Sequence, residues 1–195
     1  MNLKQWCLLG VVGLLGAGIG WGLSVNLSPR NGITPQTVAD YLHAVIEGDR
    51  SFYTQHVVER MEAMLIVNAS EHWKEKQGLP LPAQFLSWVS KHLAVDEEPF
   101  RYRLLSLWPI NPQNAPASRE ERQALEIVVK LGKPFHRQIL IHQQTYFQAI
   151  YPDRAVSRAC VSCHNSHQKS PKRDFKLNDI IGGLEILLPL PASGG

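Results

Sequence analysis

The run Cys160-Val161-Ser162-Cys163-His164 constrains this chain of 195 residues more than any other feature. Two thiols about one helical turn apart, followed at once by an imidazole, form the attachment signal for haem c. The thiols add to the two vinyl groups of one porphyrin, and the imidazole lies beneath the iron as its proximal ligand. The motif therefore predicts one covalently attached haem, with Cys160 and Cys163 as thioether residues and His164 as the proximal ligand.

Two other interpretations of the motif are a thioredoxin-like redox pair and half of a zinc site. A thioredoxin motif opens a helix after a central strand of a βαβ unit and usually carries Pro or Gly between its cysteines. A structural zinc site needs two more ligands with their own spacing. The only other cysteine is Cys7, which lies in an apolar N-terminal segment. The sequence favours haem over both.

The N-terminal segment indicates a place outside the cytoplasm. Lys4 precedes a charge-free apolar run from Cys7 to Val25, whose length is close to the ~20 residues of a membrane-spanning helix. No clear small-x-small cleavage site follows, so we expect residues 1–27 to be an uncleaved anchor in the inner membrane; a cleaved signal peptide is the alternative. We therefore expect a periplasmic or other extracytoplasmic location, where haem attachment also gives a lone Cys-x-x-Cys pair a permanent use.

Residues 28–195 suit a single α+β domain. Thr34 and Pro35 predict the N-cap and first position of a helix that runs from Val38 to about Leu65. Two further helices are expected over Pro82–Leu93 and from Ser118 to Leu125, before and after an irregular proline-rich connection. The predicted strands are Glu126–Leu131, Phe135–His142, Thr145–Tyr151 and Gly183–Leu190. Helices followed by an antiparallel sheet that the haem segment interrupts are typical of the α+β class.

The chain resembles the single-haem c-type domains with a PAS-like fold that serve as extracytoplasmic sensor regions in bacteria or as small stand-alone haem proteins. The segments that carry the resemblance are Phe52–Val58, Phe100–Ser106, Pro109–Pro116, Tyr146–Pro152, Cys160–Asn165 and Asp174–Gly183. The resemblance implies an antiparallel sheet flanked by helices, with the haem between them. Some members take the second axial ligand from a cysteine in the first long helix, but the matching position here is Val58, which cannot bind iron.

The sequence does not decide which group is the distal ligand. Helical phase places His56 in register with Val45 and Phe52, at the centre of the predicted apolar face, which makes it the first candidate. Met61 is the alternative, and a five-coordinate or water-bound iron is the third possibility. The remaining candidates are His72, His92, His136 and His142.

Three functions follow from a haem outside the cytoplasm: a redox or ligand sensor, a one-electron carrier, and an enzyme with an open iron site. We expect no enzyme, because no catalytic constellation is evident. The partner of a sensor or carrier would be a separate redox or signalling protein, and a homodimer is possible. A formal net charge of +3 gives no reason to expect a nucleic acid partner.

Overall fold

The first helix begins where the sequence predicts. The computed structural model describes residues 32–93 and 100–191. Helix α1 spans Pro35–Phe52, and the Thr34 Oγ1 accepts a hydrogen bond from the Thr37 N–H at 3.1 Å, as an N-cap should. The chain continues directly into a π-helix, Tyr53–Val58, and then into α2, Glu59–Ala63. The predicted long helix is therefore confirmed, with a change of helical type in its second half.

The remaining elements are two short strands, one 3₁₀ turn, three helices and four longer strands. In chain order they are β1 Ala69–Ser70, β2 Leu79–Pro80, α3 Pro82–Leu93, β3 Arg101–Leu105, the 3₁₀ turn Pro112–Asn114, α4 Arg119–Leu131, β4 Phe135–Ile141, β5 Gln144–Arg154, α5 Arg158–Ser166 and β6 Ile180–Pro189. Helix α3 has the predicted bounds. Strand β3 was not expected from the sequence pattern.

The four longer strands form one antiparallel sheet in the order β3-β6-β5-β4. Strands β4 and β5 form a hairpin whose two turn residues, His142 and Gln143, both have positive φ. The three strands predicted over 135–142, 145–151 and 183–190 are confirmed, and β5 and β6 extend beyond the predicted ends. The α+β class is thus confirmed, whereas likeness to PAS domains stays a prediction.

The core lies on both faces of this sheet. On one face, α1 and α3 pack their buried residues Ala39, Ile46 and Leu86 against strand residues such as Ile186. On the other face, α4 packs Leu125 and its neighbours against Leu105 and Ile150. Gly183 lies where a Cβ atom would approach the side chains of Ile150 and Leu125 within 3 Å, so the helix can sit close to the sheet.

The predicted strand Glu126–Leu131 is wrong, because these residues form the second half of α4. The Ser118 Oγ accepts a hydrogen bond from the Glu121 N–H, and Gly132 ends the helix in a left-handed conformation. The run Ile127-Val128-Val129 has the composition of a strand, but only Val128 of the three is fully buried. The buried residues are spaced three and four positions apart, which is typical of a helix, and the caps Ser118 and Gly132 fix its two ends.

The predicted apolar face of α1 is wrong in part. It includes Val38 and Leu42, which pack against the core, but also Tyr41, Val45 and Phe52. Tyr41, Val45 and Phe52 are each more than 60% exposed. The buried stripe instead follows the residues Ala39, Ile46, Arg50, Thr54 and Val58. Two stripes of comparable apolar content run along this helix, and packing against the sheet selects the one that contains an arginine and a threonine.

No helix in residues 32–93 and 100–191 is long and apolar enough to cross a membrane. The predicted anchor over residues 1–27 lies outside the described residues. Its membrane insertion and the predicted domain boundary at residue 28 stay predictions.

Candidate functional site

The Cys-x-x-Cys-His motif lies on the short helix α5. The Ser157 Oγ caps this helix by accepting from the Cys160 N–H at 3.3 Å, and the Glu59 carboxylate accepts from the Ala159 N–H at 3.3 Å. The second bond fastens the start of α5 to α2. Residues three and four positions apart share one side of a helix. Cys160, Cys163 and His164 therefore face the same way, as the predicted chemistry requires.

The end of α5 is held by Asn165. Its side-chain amide donates to the Phe175 carbonyl at 2.9 Å, and its Oδ1 accepts from the Phe175 N–H at 3.0 Å. The Phe175 ring meets the His164 imidazole edge-on, with ring centroids 5.7 Å apart, and meets Trp108 in the same manner at 5.5 Å. This clamp fixes an aromatic wall beside the imidazole.

A cavity of about 1240 Å³ adjoins α5, and we name it the α5 cavity. Cys160, Cys163 and His164 all line it. The buried stripe of the first long helix also lines this cavity, with Arg50, Thr54 and Val58. The other lining residues are drawn mainly from the β1–β2 region, α3 and the proline-rich connection, and include Trp73, Trp88, Trp108, Lys74, Lys91 and Lys169.

Both cysteines of the motif are thiols, and the Cys160 Sγ lies 3.3 Å from the Ser157 Oγ. Cys160 and Cys163 are half-buried thiols that form no disulfide. Burial raises the pKa of Cys163, and the neighbouring Glu71 and Cys160 raise it further. Burial lowers the pKa of His164, with His167 and Arg50 adding to the effect, so the imidazole is neutral and can donate its lone pair to a metal.

A buried ion cluster forms part of the cavity wall. The Arg50 guanidinium is 4% exposed and contacts Glu47 at 2.9 Å on its own helix and Asp153 at 2.7 Å on β5. Burial lowers the pKa of Arg50, but the two carboxylates outweigh it and the net shift is upward. Burial raises the pKa of Asp153 to about 6, against the opposing charge of Arg50. The cluster joins the first long helix to the sheet.

The π-helix carries the C-terminal part of the buried stripe, Thr54 and Val58, and both residues line the α5 cavity. Thr54 is 1% exposed, and its hydroxyl donates to the Arg50 carbonyl at 2.7 Å. The Thr54 carbonyl accepts from the Glu59 N–H, five residues on. A side-chain hydroxyl that donates to the carbonyl one turn earlier disturbs the regular backbone hydrogen bonds of an α-helix. Short π-helical segments of this kind are frequent at functional sites.

The structure does not bring His56 to the α5 cavity. His56 is exposed, and its ring is tilted by 39° against the exposed ring of Phe52, with centroids 4.9 Å apart. Met61 is half-buried and does not line the cavity either. Val58, which matches the position of the cysteine expected to bind iron in some members of the resembled family, is 2% exposed and lines it. Ligation by His56 or Met61 stays a prediction to which this arrangement lends no support.

The other candidate histidines also lie elsewhere. His72 and His92 are exposed, His142 lies in the hairpin turn, and His136 sits on β4 with a buried Nε2 atom that has no hydrogen-bond partner among the described residues. His167 lines the α5 cavity, and its Nε2 lies 3.2 Å from Glu71. Of the described residues, the cavity is therefore lined by no methionine and by no histidine outside residues 164–167.

The residues present fit a covalently bound haem. The cavity is larger than the ~300–1,000 Å³ of typical small-molecule sites, and it holds both thiols and the imidazole together. The buried Nδ1 of His164 has no hydrogen-bond partner among the described residues, so no protein acceptor fixes the ring. A buried polar atom left in this state is uncommon and needs an explanation, which a bound group that orders this helix would supply.

Sequence reasoning missed Arg50, Thr54 and Asp153. A signal was available for the first, because a charged residue falls in phase with Ala39 and Ile46 on one helix face. Asp153 gave no comparable signal, since its burial depends on pairing between strands that are distant in sequence.

Comparisons with known proteins bear on this site. A family model described as Tll0287-like matches residues 34–189. Among solved structures, the chain matches the crystal structure of the cyanobacterial haem-protein Tll0287 with 15% sequence identity and a TM-score of 0.46. The match covers 83% of this chain and 99% of the other. No curated protein matches the chain.

Proposed function

Because the chain belongs to the Tll0287-like family, we propose that it binds one haem c in the α5 cavity. Cys160 and Cys163 form the two thioether bonds, and His164 is the proximal ligand. The observation that carries the proposal is that both thiols and the neutral imidazole lie on one side of α5 and line one large cavity.

The protein residues hold and orient the group. Ser157 and Glu59 order the start of α5, and Asn165 orders its end, so the three reactive side chains keep their relative positions. Trp108 and Phe175 supply an apolar wall that limits access of water to the imidazole. When bound, the haem supplies one-electron chemistry and an iron that accepts small ligands.

The sixth coordination position is open to small ligands in this proposal. Val58 occupies the position from which some members of the resembled family take a ligand, and its side chain has no atom that binds iron. Of the described cavity-lining residues, none supplies a thioether. Lys74 and Lys91 also line the cavity, and both residues are exposed to solvent.

The function that this site supports best is a redox or ligand sensor outside the cytoplasm, anchored to the inner membrane by residues 1–27 and acting on a separate partner protein. An open iron can bind a diatomic molecule, and the first long helix lines the cavity and can carry the response. A one-electron carrier is the second candidate, favoured by the exposed lysines Lys74, Lys91 and Lys169 at the cavity wall, which suit an acidic redox partner.

The test begins with mass measurement of the full chain matured in a host with working cytochrome c assembly. A mass increased by one haem is expected, and Cys160→Ala with Cys163→Ala should abolish the increase. The reduced protein is then examined with and without carbon monoxide. A spectral shift supports an open iron and a ligand sensor, whereas no shift removes the ligand sensor and leaves redox sensing or electron transfer. A bare polypeptide mass would contradict haem binding itself.

A further inference from the structure

We propose that Asp153 is a proton-binding site coupled to the redox state of the haem. Asp153 takes up one proton from solvent when the haem iron in the α5 cavity gains one electron from an external one-electron donor. It releases this proton when the iron is oxidised. The balance is one electron and one proton: the carboxylate becomes a carboxylic acid while ferric iron becomes ferrous. The inference rests on the haem binding proposed above and adds a regulatory group to the same site.

The first argument is position. Asp153 is 7% exposed and lines the α5 cavity together with Arg50 and the three motif residues. Its Oδ1 lies 2.7 Å from the Arg50 guanidinium, but the geometry is not that of a hydrogen bond, and no described residue donates one to this atom. A buried carboxylate oxygen without a donor is a poor resting place for a negative charge.

The second argument is the charge of the surroundings. Glu47 and Asp153 share one cation, Arg50, so the cluster carries a net negative charge when both carboxylates are ionised. Arg154, the next residue on β5, donates to the Asn178 carbonyl. The remaining charged groups on the cavity wall are Glu62, Glu71, Lys74, Lys91, His167 and Lys169.

The energetic consequence follows from the low dielectric of a buried site. Removal of one positive charge from the cavity leaves the negative cluster uncompensated, and charges interact several times more strongly there than in water. Burial already raises the pKa of Asp153 to about 6, Arg50 opposes this effect, and Glu47 adds to it. Because this pKa is already close to neutral pH, the loss of one nearby positive charge is enough to protonate Asp153 near neutral pH.

The cluster also borders a second cavity. Glu47, whose side chain is 28% exposed, lines this cavity of about 520 Å³ together with Asp40, His43 and Tyr151. Arg50 and Asp153 line the α5 cavity instead. One carboxylate of the cluster therefore reaches solvent outside the proposed haem site.

The pairing of Arg50 with Asp153 gives the proton a structural effect. Arg50 is on α1 and Asp153 is on β5, so their ion pair connects the first long helix to the sheet. Protonation of Asp153 removes the attraction and leaves Arg50 with Glu47, which is on the same helix. A redox event in the cavity would thus loosen one attachment of α1.

The experiment is a potentiometric titration of the full, haem-loaded chain between pH 5 and pH 8, followed optically. In the wild type, the midpoint potential should fall with rising pH, with a limiting slope of about 59 mV per pH unit, which corresponds to a tenfold change in proton concentration for one electron. The variant Asp153→Asn should abolish this slope. The matched control is Glu185→Gln, a buried carboxyl variant in the sheet that does not line the cavity and should keep the slope.

A pH-independent potential in the wild type, a slope retained in Asp153→Asn, or a slope lost equally in Glu185→Gln would overturn the inference. If Asp153→Asn does not fold, reduced-minus-oxidised infrared spectra of the wild type labelled with ¹³C at the aspartate carboxyl decide instead. A labelled carboxylic acid band must then appear on reduction, and its absence would overturn the inference. A chain that carries no haem by mass contradicts the proposed function itself, which separates the two failures.

Discussion

Val58 and His56 are two positions apart on one continuous helical segment, yet only Val58 reaches the α5 cavity. Two residues correspond to about 200° of rotation around a helix. His56 is therefore directed to solvent, where its ring contacts that of Phe52 at a tilt of 39°. Which side chain faces the α5 cavity depends on this rotation, and the π-helix over Tyr53–Val58 lies in this segment.

The variant Val58→His tests the assignment of the cavity wall. It should place a second imidazole beside the haem, so that the reduced protein becomes six-coordinate and its spectrum no longer shifts with carbon monoxide. The control is His56→Ala, which removes an exposed ring and should leave the wild-type shift unchanged. The reverse outcome, with the spectrum altered only in His56→Ala, would restore His56 as the ligand.

At the scale of elements, helix α1 and the β4–β5 hairpin show how local sequence and packing share control. The Thr34 cap fixes where α1 begins, but the sheet decides which of its two stripes is buried. In the hairpin, a two-residue turn requires left-handed backbone, and His142 and Gln143 adopt it with φ of 46° and 68°. Residues other than glycine adopt this conformation at a cost.

The variant Gln143→Gly should stabilise the protein by about 0.5–1 kcal/mol, because glycine is the preferred second residue of such a turn. Unfolding in urea, followed by circular dichroism, measures the change. The matched control is Gln138→Gly, the same replacement at an exposed position of β4, where glycine should destabilise the strand instead. Equal effects at the two positions would contradict the assignment of the turn.

The buried stripe of α1 is tested by two neighbouring truncations. Ile46 is 8% exposed and packs in the core, so Ile46→Ala should cost about 2–4 kcal/mol of unfolding free energy. Val45, which is 62% exposed, should lose no more than about 0.5 kcal/mol on the change Val45→Ala. A larger loss for Val45→Ala would mean that its face is covered in solution, as the predicted homodimer allows.

At the scale of the whole molecule, ionic contacts connect elements that lie far apart in sequence. Arg103 on β3 contacts Glu185 on β6 at 2.9 Å and Glu121 on α4 at 2.5 Å. Gln148 on β5 donates to the same Glu185 carboxylate. Burial raises the pKa of Glu185, and Arg103 opposes this shift. One guanidinium thus supports the sheet and the helix on its outer face.

The variant Arg103→Met should cost about 3 kcal/mol at pH 7, because it leaves two buried carboxylates without their cation. The loss should shrink as the pH falls. Glu185, whose pKa is already raised, then takes up a proton more readily in the folded variant than in the unfolded chain, and this favours the folded state. Arg122→Met, which removes an exposed ion pair with Glu126, should change stability by less than about 0.5 kcal/mol. A pH-independent loss in Arg103→Met would contradict the role of Glu185.

Local chemistry determined much of what could be foreseen. The spacing of Cys160, Cys163 and His164 set the predicted cofactor, the Thr34 cap set the start of α1, and alternation and turns set three of the four long strands. Each of these signals is carried by residues within a few positions of one another. The prediction of a strand over Glu126–Leu131 is wrong because the caps that flank the helix outweigh the strand preference of its β-branched residues.

The tertiary structure alone decided which face of the long helix meets the α5 cavity. It placed Val58, Thr54 and Arg50 on the α5 cavity, turned His56 outward, and brought Asp153 to Arg50 from a strand about one hundred residues away. The physical reason is that burial is set by contacts between elements, whose net free energy depends on the whole packing arrangement. The sequence by itself determined that two thiols and an imidazole share one helical turn, and the packing around that turn determined what they face.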